Sequence, residues 1–358
     1  MSSRVFSRSD VLVLLGSVVA VAAAGVARYA GAPAVLAFVV AGAAVALLAS
    51  VVGRSVEQLG DRFGPGATGV LQSALGNLPE LFIGFFALQA GLIAVVQAAI
   101  IGSILSNILL VLGLSFLVGG LRNGPQRFDS ERARTSAILM VLAVAALVLP
   151  SLAQYVHAPA APHERELSLI VSVVLLGVFA LSLPAALKRA PVSHDPVEAE
   201  GEVSGTRWPL WLAVTLLAAS SVVAALVSDW FVHALEPAIE ALGISQAFAG
   251  LVIVAIAGNA IENVVGIQLA YRNKADFAMA VIIQSPLQIA LVLAPALVLL
   301  SLLTATTLTL VFAPMLVVAV AVTVIAVAFV VFDGESTWLE GVTLIALYAI
   351  IATAFWWG

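Results

Sequence analysis

The stretch 76-GNLPELF-82 places a carboxylate, Glu80, inside a long apolar segment, and 258-GNAIENVV-265 does the same with Glu262. The chain of 358 residues is 62% hydrophobic and only 10% charged, with a mean hydropathy of +1.15. A soluble domain averages about 45–50% apolar and about 25% charged residues. Apolar runs of about 20 residues recur along the whole chain, and each can cross a bilayer as a helix. The sequence therefore predicts an all-α polytopic membrane protein rather than a soluble protein with a very apolar core.

Eleven transmembrane helices are predicted, separated by clusters of Pro, Gly and charged residues. The first is interpreted as a retained helix and not as a cleaved signal peptide, because so many spans follow it. One connection, residues 188–207, is long and polar. The predicted spans are residues 10–28, 33–53, 67–90, 92–119, 135–155, 167–187, 208–228, 245–271, 275–302, 308–332 and 338–357.

The distribution of basic residues predicts the orientation of the chain. Thirteen of the fifteen Lys and Arg residues lie in loops on one side of the eleven-span arrangement, and only Arg28 and Arg165 lie on the other. The positive-inside rule then places the N-terminus and the 188–207 loop in the cytoplasm and the C-terminus outside. A short N-terminus and a composition rich in Ala, Val and Leu favour a bacterial inner membrane, although a vacuolar membrane has the same topology.

The two opening stretches are internally related at a constant offset of 182 residues. The matching pairs are Gly76 and Gly258, Asn77 and Asn259, Glu80 and Glu262, and Ser103 and Ser285. After the first span, five spans precede the long loop and five follow it, which makes the two sets inverted repeats. The predicted organisation is an N-terminal helix in 1–32, a five-helix repeat in 33–187, an acidic cytoplasmic linker in 188–207 and a second five-helix repeat in 208–358. Inverted repeats with a midplane site between them are typical of transporters.

The two repeated glutamates are the candidate ion-binding groups. Glu80 and Glu262 are the acidic residues that lie within predicted spans and away from span ends. An ionisable group there indicates function by default, and the alternative is a protonated carboxyl that bonds two helices together. Helical spacing places each motif asparagine on the face of its glutamate. Pro79 lacks an N–H, which would leave a carbonyl oxygen of the preceding helical turn open to a cation.

The following spans add further oxygen ligands at helical spacing. Ser103 and Asn107 share one face, as do Ser285 and Gln288, and Pro286 is predicted to distort its helix. An all-oxygen set with two negative charges suits a hard cation such as Ca²⁺, and it suits Zn²⁺ or Cu⁺ poorly. The candidate cation- and proton-binding residues are Glu80, Glu262, Asn77, Asn259, Ser103, Ser285, Gln288, Asn107, Gly76 and Gly258, with Glu80 and Glu262 as the direct metal ligands.

The same carboxylates are suited to carrying protons. A desolvated carboxyl group holds a proton more readily, whereas a bound cation favours the ionised form. One site could therefore hold either a divalent ion or two protons, which is what an antiporter needs. No resident cofactor is predicted beyond the transported Ca²⁺ and H⁺.

Four segments resemble the calcium/cation antiporter superfamily, and within it the cation/proton exchanger (CAX) branch. They are 76-GNLPELFIGFFALQAG-91, 96-VQAAIIGSILSNILLVLG-113, 258-GNAIENVVGIQLAYRNKADFAM-279 and 287-LQIALVLAP-295. The resemblance implies eleven helices and Ca²⁺/H⁺ exchange, with the two glutamates binding cation and proton in turn. It also implies supporting roles for Asn77, Asn259, Ser103, Ser285 and Gln288.

Three positions depart from the pattern of that branch. Asn263 stands where a His is usual, Gln284 where a Gly is usual and Pro286 where a Ser is usual, and the LPE of the first motif is similar to the sodium/calcium exchanger branch. These departures bear on ion choice and proton coupling, not on the fold.

The sequence thus predicts a Ca²⁺/H⁺ antiporter that works on hard cations and protons in a lipid bilayer, with no nucleic-acid partner and no indicated oligomeric state. A Na⁺ or K⁺/H⁺ antiporter and a Na⁺/Ca²⁺ exchanger of the same fold are the alternatives. A passive channel is disfavoured, because pores usually place ligands in a ring around an axis. A membrane enzyme is disfavoured, because the chain shows no paired nucleophile and base and no phosphate-binding glycine loop.

Overall fold

The computed structural model describes residues 5–63, 75–188 and 208–357, and its regular structure is almost entirely helical. The predicted acidic linker, residues 188–207, lies outside the described residues except for Lys188, the last residue of a helix. Two short strands, β1 (Gln126–Arg127) and β2 (Glu335–Ser336), pair antiparallel. The helices are α1 Arg8–Tyr29, α2 Ala34–Phe63, α3 Leu78–Gln89, α4 Ile93–Asn123, α5 Ser130–Tyr155, α6 Glu164–Lys188, α7 Leu210–Leu242, α8 Gln246–Gly258, α9 Ala260–Tyr271, α10 Ala275–Leu303, α11 Pro314–Val330 and α12 Trp338–Trp356.

Eight helices in the described part of the chain are long and apolar enough to cross a membrane. The pair α8 and α9 bends by 62° and adds a ninth span if the two cross together. Helices α3 and α11 are apolar but shorter, with 12 and 17 residues. The predicted class, an all-α membrane protein, agrees with this set of helices.

The predicted span 308–332 starts too early. Helix α11 begins at Pro314, and residues 304–313 are not helical. Pro314 occupies the first helical position, where its missing N–H costs nothing, and it disfavours helical backbone in the residue before it. The run 304-TATTLTLVF-312 is also rich in β-branched Thr, which fits an extended chain better than a helix.

Leu308, Leu310 and Phe312 of the non-helical segment 304–313 are buried, and polar side chains bond the backbone of this segment. The N–H groups of Leu308, Leu310 and Phe312 donate to serine hydroxyls at 2.9 Å each. The amide of Gln97 on α4 donates to the carbonyls of Thr309 and Val311 at 3.1 and 2.8 Å. Non-helical backbone is tolerated inside a membrane protein only where it finds such partners. The three serines are Ser301, Ser168 and Ser151.

Helix α7 runs about four turns past the predicted end of its span at residue 228. The prediction stopped where Asp229 introduces charge, yet the chain continues as a helix to Leu242. The continuation is amphipathic: Phe231 and Leu235 are 1% and 0% exposed, whereas His233 on the other face is exposed. An apolar stripe at helical spacing is sufficient to continue a helix beyond its uncharged part.

The chain forms two compact units, each of which takes residues from both halves of the sequence. The first comprises residues 1–83 and 179–238. Within it α1 packs on α2, and the Arg54 guanidinium donates to the Asp10 carboxylate at 2.6 Å. The rings of Phe38 and Phe231 stack with their centroids 4.6 Å apart.

The second unit comprises residues 84–178 and 239–358 and holds most of the predicted site. Helix α4 packs against the π-helical turn Ala249–Val254 of α8. The two backbones approach closely at two glycines: a Cβ added to Gly102 would lie 2.2 Å from the carbonyl oxygen of Leu251, and one added to Gly250 would lie 2.4 Å from that of Val95. No side chain larger than hydrogen fits at either position without a shift of the backbone.

The offset of 182 residues found in the sequence also relates the ends of helices. Leu78–Gln89 and Ala260–Tyr271 are equivalent at both ends, and α4 and α10 begin at the equivalent residues Ile93 and Ala275. The connections match as well, because Gly91 has a φ of +78° and its counterpart Asn273 one of +59°. The repeated sequence therefore folds into repeated local structure over residues 78–111 and 260–293.

Within the second unit, loops predicted on the same membrane side contact each other. Strand β1, after α4, pairs with β2, before α12, and both loops are predicted to be cytoplasmic. The hydroxyls of Thr306 and Ser245 donate to the carbonyls of Leu88 and Phe355, and these four residues lie in or beside loops predicted to be outside.

Candidate functional site

Both repeated motifs lie where one helix ends and the next begins. The carbonyl of Asn77 accepts from the N–H of Leu81 at 3.0 Å, and that of Asn259 accepts from the N–H of Asn263 at 3.1 Å. Each asparagine therefore precedes a new helix, α3 or α9, of which the motif glutamate is the third residue. The predicted spans 67–90 and 245–271 make each motif part of one continuous helix, and this prediction is wrong, because the chain turns at the motif. The N-terminus of a helix favours negative charge, so the break places each carboxylate at a favourable position.

Pro79 begins a helix rather than interrupting one. It is the second residue of α3, where the N–H has no helical partner in any case. The prediction that Pro79 opens a carbonyl inside a helix is therefore wrong. In the other motif, Ile261 occupies the equivalent position, and the chain turns there too. The turn thus does not depend on the proline.

Four predicted site residues from the two repeats meet in one hydrogen-bond network inside the second unit. The Asn259 side-chain amide donates to the Ser103 hydroxyl at 3.0 Å. The Asn107 amide donates to the Asn259 oxygen and to the Ser285 hydroxyl, both at 3.2 Å. The Ser285 hydroxyl in turn donates to the Asn259 oxygen at 3.3 Å. Ser103 and Asn107 belong to the first repeat and Asn259 and Ser285 to the second, so the structure brings residues of both repeats together, including the equivalent pair Ser103 and Ser285.

The network is buried and uncharged. Ser103, Asn107, Asn259 and Ser285 are 4%, 0%, 1% and 2% exposed. Asn107 Oδ1 is buried and has no hydrogen-bond partner among the described residues. Burying an acceptor without a donor costs free energy, because the oxygen loses its hydrogen bonds to water. A bound cation or an ordered water molecule could supply the missing partner of Asn107 Oδ1.

Two π-helical turns adjoin the network at equivalent positions. They are Ser106–Val111 in α4 and Ile289–Leu293 in α10, and their last residues are related by the offset of 182. Pro286, which lies inside α10 just before its turn, removes one backbone donor and contributes to this distortion. The α4 turn has no proline, so packing and not sequence chemistry alone produces it. Single π-turns frequently accompany functional sites.

The remaining predicted site residues lie around these breaks. Gln288 is 4% exposed and ends the α-helical part of α10 before its π-turn, and Gly258 is the buried last residue of α8. Asn77 and Glu80 belong to the first unit, where Asn77 is 7% exposed and Glu80 is half-buried, with its Oε2 atom shielded from solvent. Gly76 forms the turn before Asn77. The Glu262 side chain lies outside what the structure describes.

The described side chains of the predicted site offer oxygen atoms as ligands. Among the described residues no group of three or more His, Cys, Asp or Glu could hold a metal ion. Apart from the Glu80 carboxylate, the described side chains of the site carry neutral amide and hydroxyl oxygens. Such oxygens are the ligands that hard cations such as Ca²⁺ accept alongside carboxylates.

Two polar residues near the site carry features that the sequence did not reveal. Asn263 Oδ1 is buried and has no hydrogen-bond partner among the described residues, one position after Glu262. Gln284, one position before Ser285, lines a cavity of about 40 Å³ together with Asp129, Arg132 and Asp276. The contacts of Gln97 with the segment 304–313 were not predicted, although a lone Gln in an apolar span indicates a contact between segments.

Known proteins resemble this chain over most of its length. Residues 33–188 and 212–357 match the family model for the sodium/calcium exchanger protein. A Ca²⁺/H⁺ antiporter of Synechocystis sp. is 37% identical over 334 residues, which cover 89% of this chain and 90% of that protein. The Ca²⁺/H⁺ antiporter ChaA of Bacillus subtilis is 36% identical over 324 residues, which cover 90% and 92%. The solved structure of native YfkE superposes with a TM-score of 0.81 at 33% identity, over 96% of this chain and 99% of that one.

Proposed function

Because the chain belongs to the sodium/calcium exchanger protein family, we propose that it is a secondary active antiporter that exchanges Ca²⁺ for H⁺ by alternating access. The buried hydrogen bond between Asn259 and Ser103 carries this proposal, because it joins one repeated motif to the segment that follows the other. Two relatives named Ca²⁺/H⁺ antiporters, 37% and 36% identical, support the choice of ions. Transport, and not an enzymatic reaction, is the activity that these relatives suggest.

In the proposed mechanism, Glu80 and Glu262 hold the cation and the protons in turn. Two carboxylates carry two negative charges, which either one Ca²⁺ or two protons can neutralise. Occupancy by one excludes the other, and this exclusion couples the two fluxes. The buried amides and hydroxyls of Asn77, Asn259, Ser103 and Ser285, together with Gln288 and Asn107, supply neutral oxygens. Gly76 and Gly258 give the backbone room to turn beside them.

The proposed arrangement in the membrane has eleven helices, with a leading helix followed by two inverted five-helix repeats. Helices α3 and α11 complete the count although they are short, since each is extended by non-helical or undescribed chain. The excess of basic residues on one side supports a cytoplasmic N-terminus and an external C-terminus. A bacterial inner membrane is the proposed location, and no resident cofactor is required beyond the transported ions.

A second candidate function keeps the fold and changes the ions, to Na⁺ or K⁺ for H⁺ or to Na⁺ for Ca²⁺. The observation that favours it is Asn263, a neutral amide with a buried oxygen where the cation/proton exchanger pattern has a titratable His. An amide cannot take part in proton transfer as an imidazole can.

An ion-substitution flux assay in proteoliposomes distinguishes the two functions. Purified protein is reconstituted with an acidic interior, and ⁴⁵Ca²⁺ uptake is followed with Na⁺ and K⁺ replaced by an impermeant cation. Ca²⁺/H⁺ exchange predicts uptake that is lost when the interior is set to the external pH and that added Na⁺ leaves unchanged. A strict requirement for Na⁺ or K⁺ would support the second candidate instead.

A further inference from the structure

The C-terminal end of α9 is held by side chains from the loop that follows α4. Gln126 Nε2 donates to the carbonyl of Ala270 at 3.0 Å and to Asn273 Oδ1 at 2.9 Å. Asn123 Nδ2 donates to the carbonyls of Ala270 and Tyr271 at 3.2 and 3.3 Å. The last carbonyls of a helix lack helical partners, so such donors stabilise its end. α9 carries Glu262 near its other end.

Gln126 is seated in a position built to hold it. It is 3% exposed and lies in β1, whose pairing with β2 fixes its backbone. A Cβ added to Gly119 would lie only 1.9 Å from Gln126 Oε1, so the glutamine fills the space that the glycine leaves. Because the Gln126 side chain is enclosed, its Nε2 donors stay directed toward the end of α9.

The equivalent end of α3 is held in the same way. The Thr306 hydroxyl donates to the carbonyl of Leu88 at 2.7 Å. Leu88 and Ala270 are related by the offset of 182, so the same carbonyl is the anchor in both repeats. Thr306 lies in the non-helical segment 304–313, which follows α10, just as Gln126 follows α4. Each motif helix is thus anchored by the loop after the long helix of the other repeat.

The two anchor points lie at opposite ends of one helix. Leu88 precedes the start of α4, and Asn123 at the end of α4 contacts Ala270. With 31 residues, α4 is about 46 Å long at a rise of about 1.5 Å per residue. A helix of this length spans a bilayer, so the two anchors are separated by about the thickness of a membrane.

We propose that the carbonyls of Leu88 and Ala270 are fixed pivots, and that Gln126 and Thr306 are positioning residues that hold them during transport. The inference rests on the proposed antiport function. Each motif helix is anchored at its far end and breaks from the preceding chain at its motif asparagine. Motion during alternating access therefore occurs at the glutamate ends, because a chain break absorbs rotation whereas a bonded, capped end resists it.

A reversible tether tests whether the end of α9 stays fixed. The chain has no cysteine, so Asn123→Cys and Tyr271→Cys, both at exposed positions, form a unique pair. A short bifunctional methanethiosulfonate is expected to link them and to leave the rate of Ca²⁺ uptake within about two-fold of the untreated pair. A link that stops exchange until a reductant removes it would overturn the proposal, as would failure of the two thiols to link. The two single-cysteine variants, treated identically, are the controls.

A matched pair at Thr306 tests the other pivot. Thr306→Val keeps the shape and removes the donor, and Thr306→Ser keeps the donor. Loss of one hydrogen bond predicts a roughly three- to ten-fold lower kcat in Thr306→Val with a KM for Ca²⁺ within about two-fold, and near-normal kcat in Thr306→Ser. Equal kcat in the two variants, or a change confined to KM, would contradict a pivot. A role in stability alone would lower the amount of folded protein in Thr306→Val and leave its kcat per folded molecule unchanged.

The failure of this inference can be told apart from failure of the proposed function. If unmodified protein shows no cation/proton exchange, the function is wrong whatever the tether does. The hydrogen bond from Thr306 is then tested without a transport assay, by measuring the hydrogen-exchange rates of the backbone amides at residues 84–92. These are expected to exchange at least about three-fold faster in Thr306→Val than in Thr306→Ser. Equal rates in that measurement would overturn the anchor itself.

Discussion

The side-chain amide of Asn259 donates to the hydroxyl of Ser103 at 3.0 Å, although the two residues are 156 positions apart in the chain. Asn259 belongs to the second repeated motif, and Ser103 follows the first. Both are almost completely buried. Such a bond joins the two repeats beside the second motif, where the proposed cation site lies.

Replacement of either motif glutamate is expected to stop exchange. Glu80→Gln and Glu262→Gln keep the size of the side chain and remove both its negative charge and its proton. Each variant should show less than about one hundredth of the wild-type Ca²⁺ uptake, because a site with one carboxylate cannot neutralise a divalent ion. Uptake is measured in proteoliposomes, with gel-filtration elution as the control for folding. Substantial transport by either variant would refute a shared site.

Asn107 is expected to support cation binding more strongly than its neighbour Ser106. Asn107 donates three hydrogen bonds within the network, whereas the Ser106 hydroxyl makes one contact of 3.5 Å. Asn107→Ala should raise the KM for Ca²⁺ roughly ten-fold, about the effect of one hydrogen bond to a charged group. Ser106→Ala is the control, equally buried and adjacent, and should change KM less than about two-fold. The same KM in both variants would remove Asn107 from the site.

Introducing a histidine at position 263 is expected to change the pH dependence of exchange. Imidazole changes charge between about pH 5 and pH 8, whereas the native amide does not titrate. The rate of Ca²⁺ uptake by Asn263→His should gain a pH-dependent step in that interval, and Asn263→Gln should not. The profile is measured from pH 5 to pH 9 at a constant pH gradient. An unchanged profile in Asn263→His would show that this position does not touch the proton pathway.

The close crossing of α4 and α8 predicts intolerance of side chains at Gly102. Its added Cβ would overlap the backbone of Leu251, which is not free to rotate away. Gly102→Ala should lower the free energy of unfolding by roughly 3 kcal/mol. Gly177→Ala is the matched control: Gly177 is also helical, but an added Cβ meets nothing within 4 Å. Gly177→Ala should be neutral or stabilising by up to about 1 kcal/mol. Thermal unfolding in detergent measures both, and equal effects would contradict the crossing.

Much of this architecture could be predicted because a bilayer restricts the backbone conformations that a chain can adopt within it. A backbone in lipid must form helices, so apolar runs indicate where helices lie. The offset of 182 residues predicted that Ser103 and Ser285 are equivalent, and both lie in one hydrogen-bond network with Asn107 and Asn259. Family membership and the antiporter resemblance were also correctly predicted, and the comparisons confirm them.

Other features depend on tertiary contacts that local patterns do not contain. The turns before Asn77 and Asn259 and the π-turn in α4 have no proline that compels them. The non-helical segment 304–313 is held by Gln97, by the nearby Ser301 and by the distant Ser151 and Ser168, which satisfy its backbone. The predicted span over the same residues was apolar enough for a helix, and hydropathy alone cannot separate a helix from a buried strand.

Proton release on Ca²⁺ binding tests the central claim, that one pair of carboxylates holds either the cation or the protons. Purified protein in lightly buffered detergent is titrated with Ca²⁺ at several pH values from 5 to 9, and the released protons are counted with a pH indicator. The wild-type protein is expected to release protons as Ca²⁺ binds, and the Glu80→Gln/Glu262→Gln double variant to release none. Binding of Ca²⁺ by wild-type protein without proton release across this range, or unchanged release in the double variant, would contradict the claim.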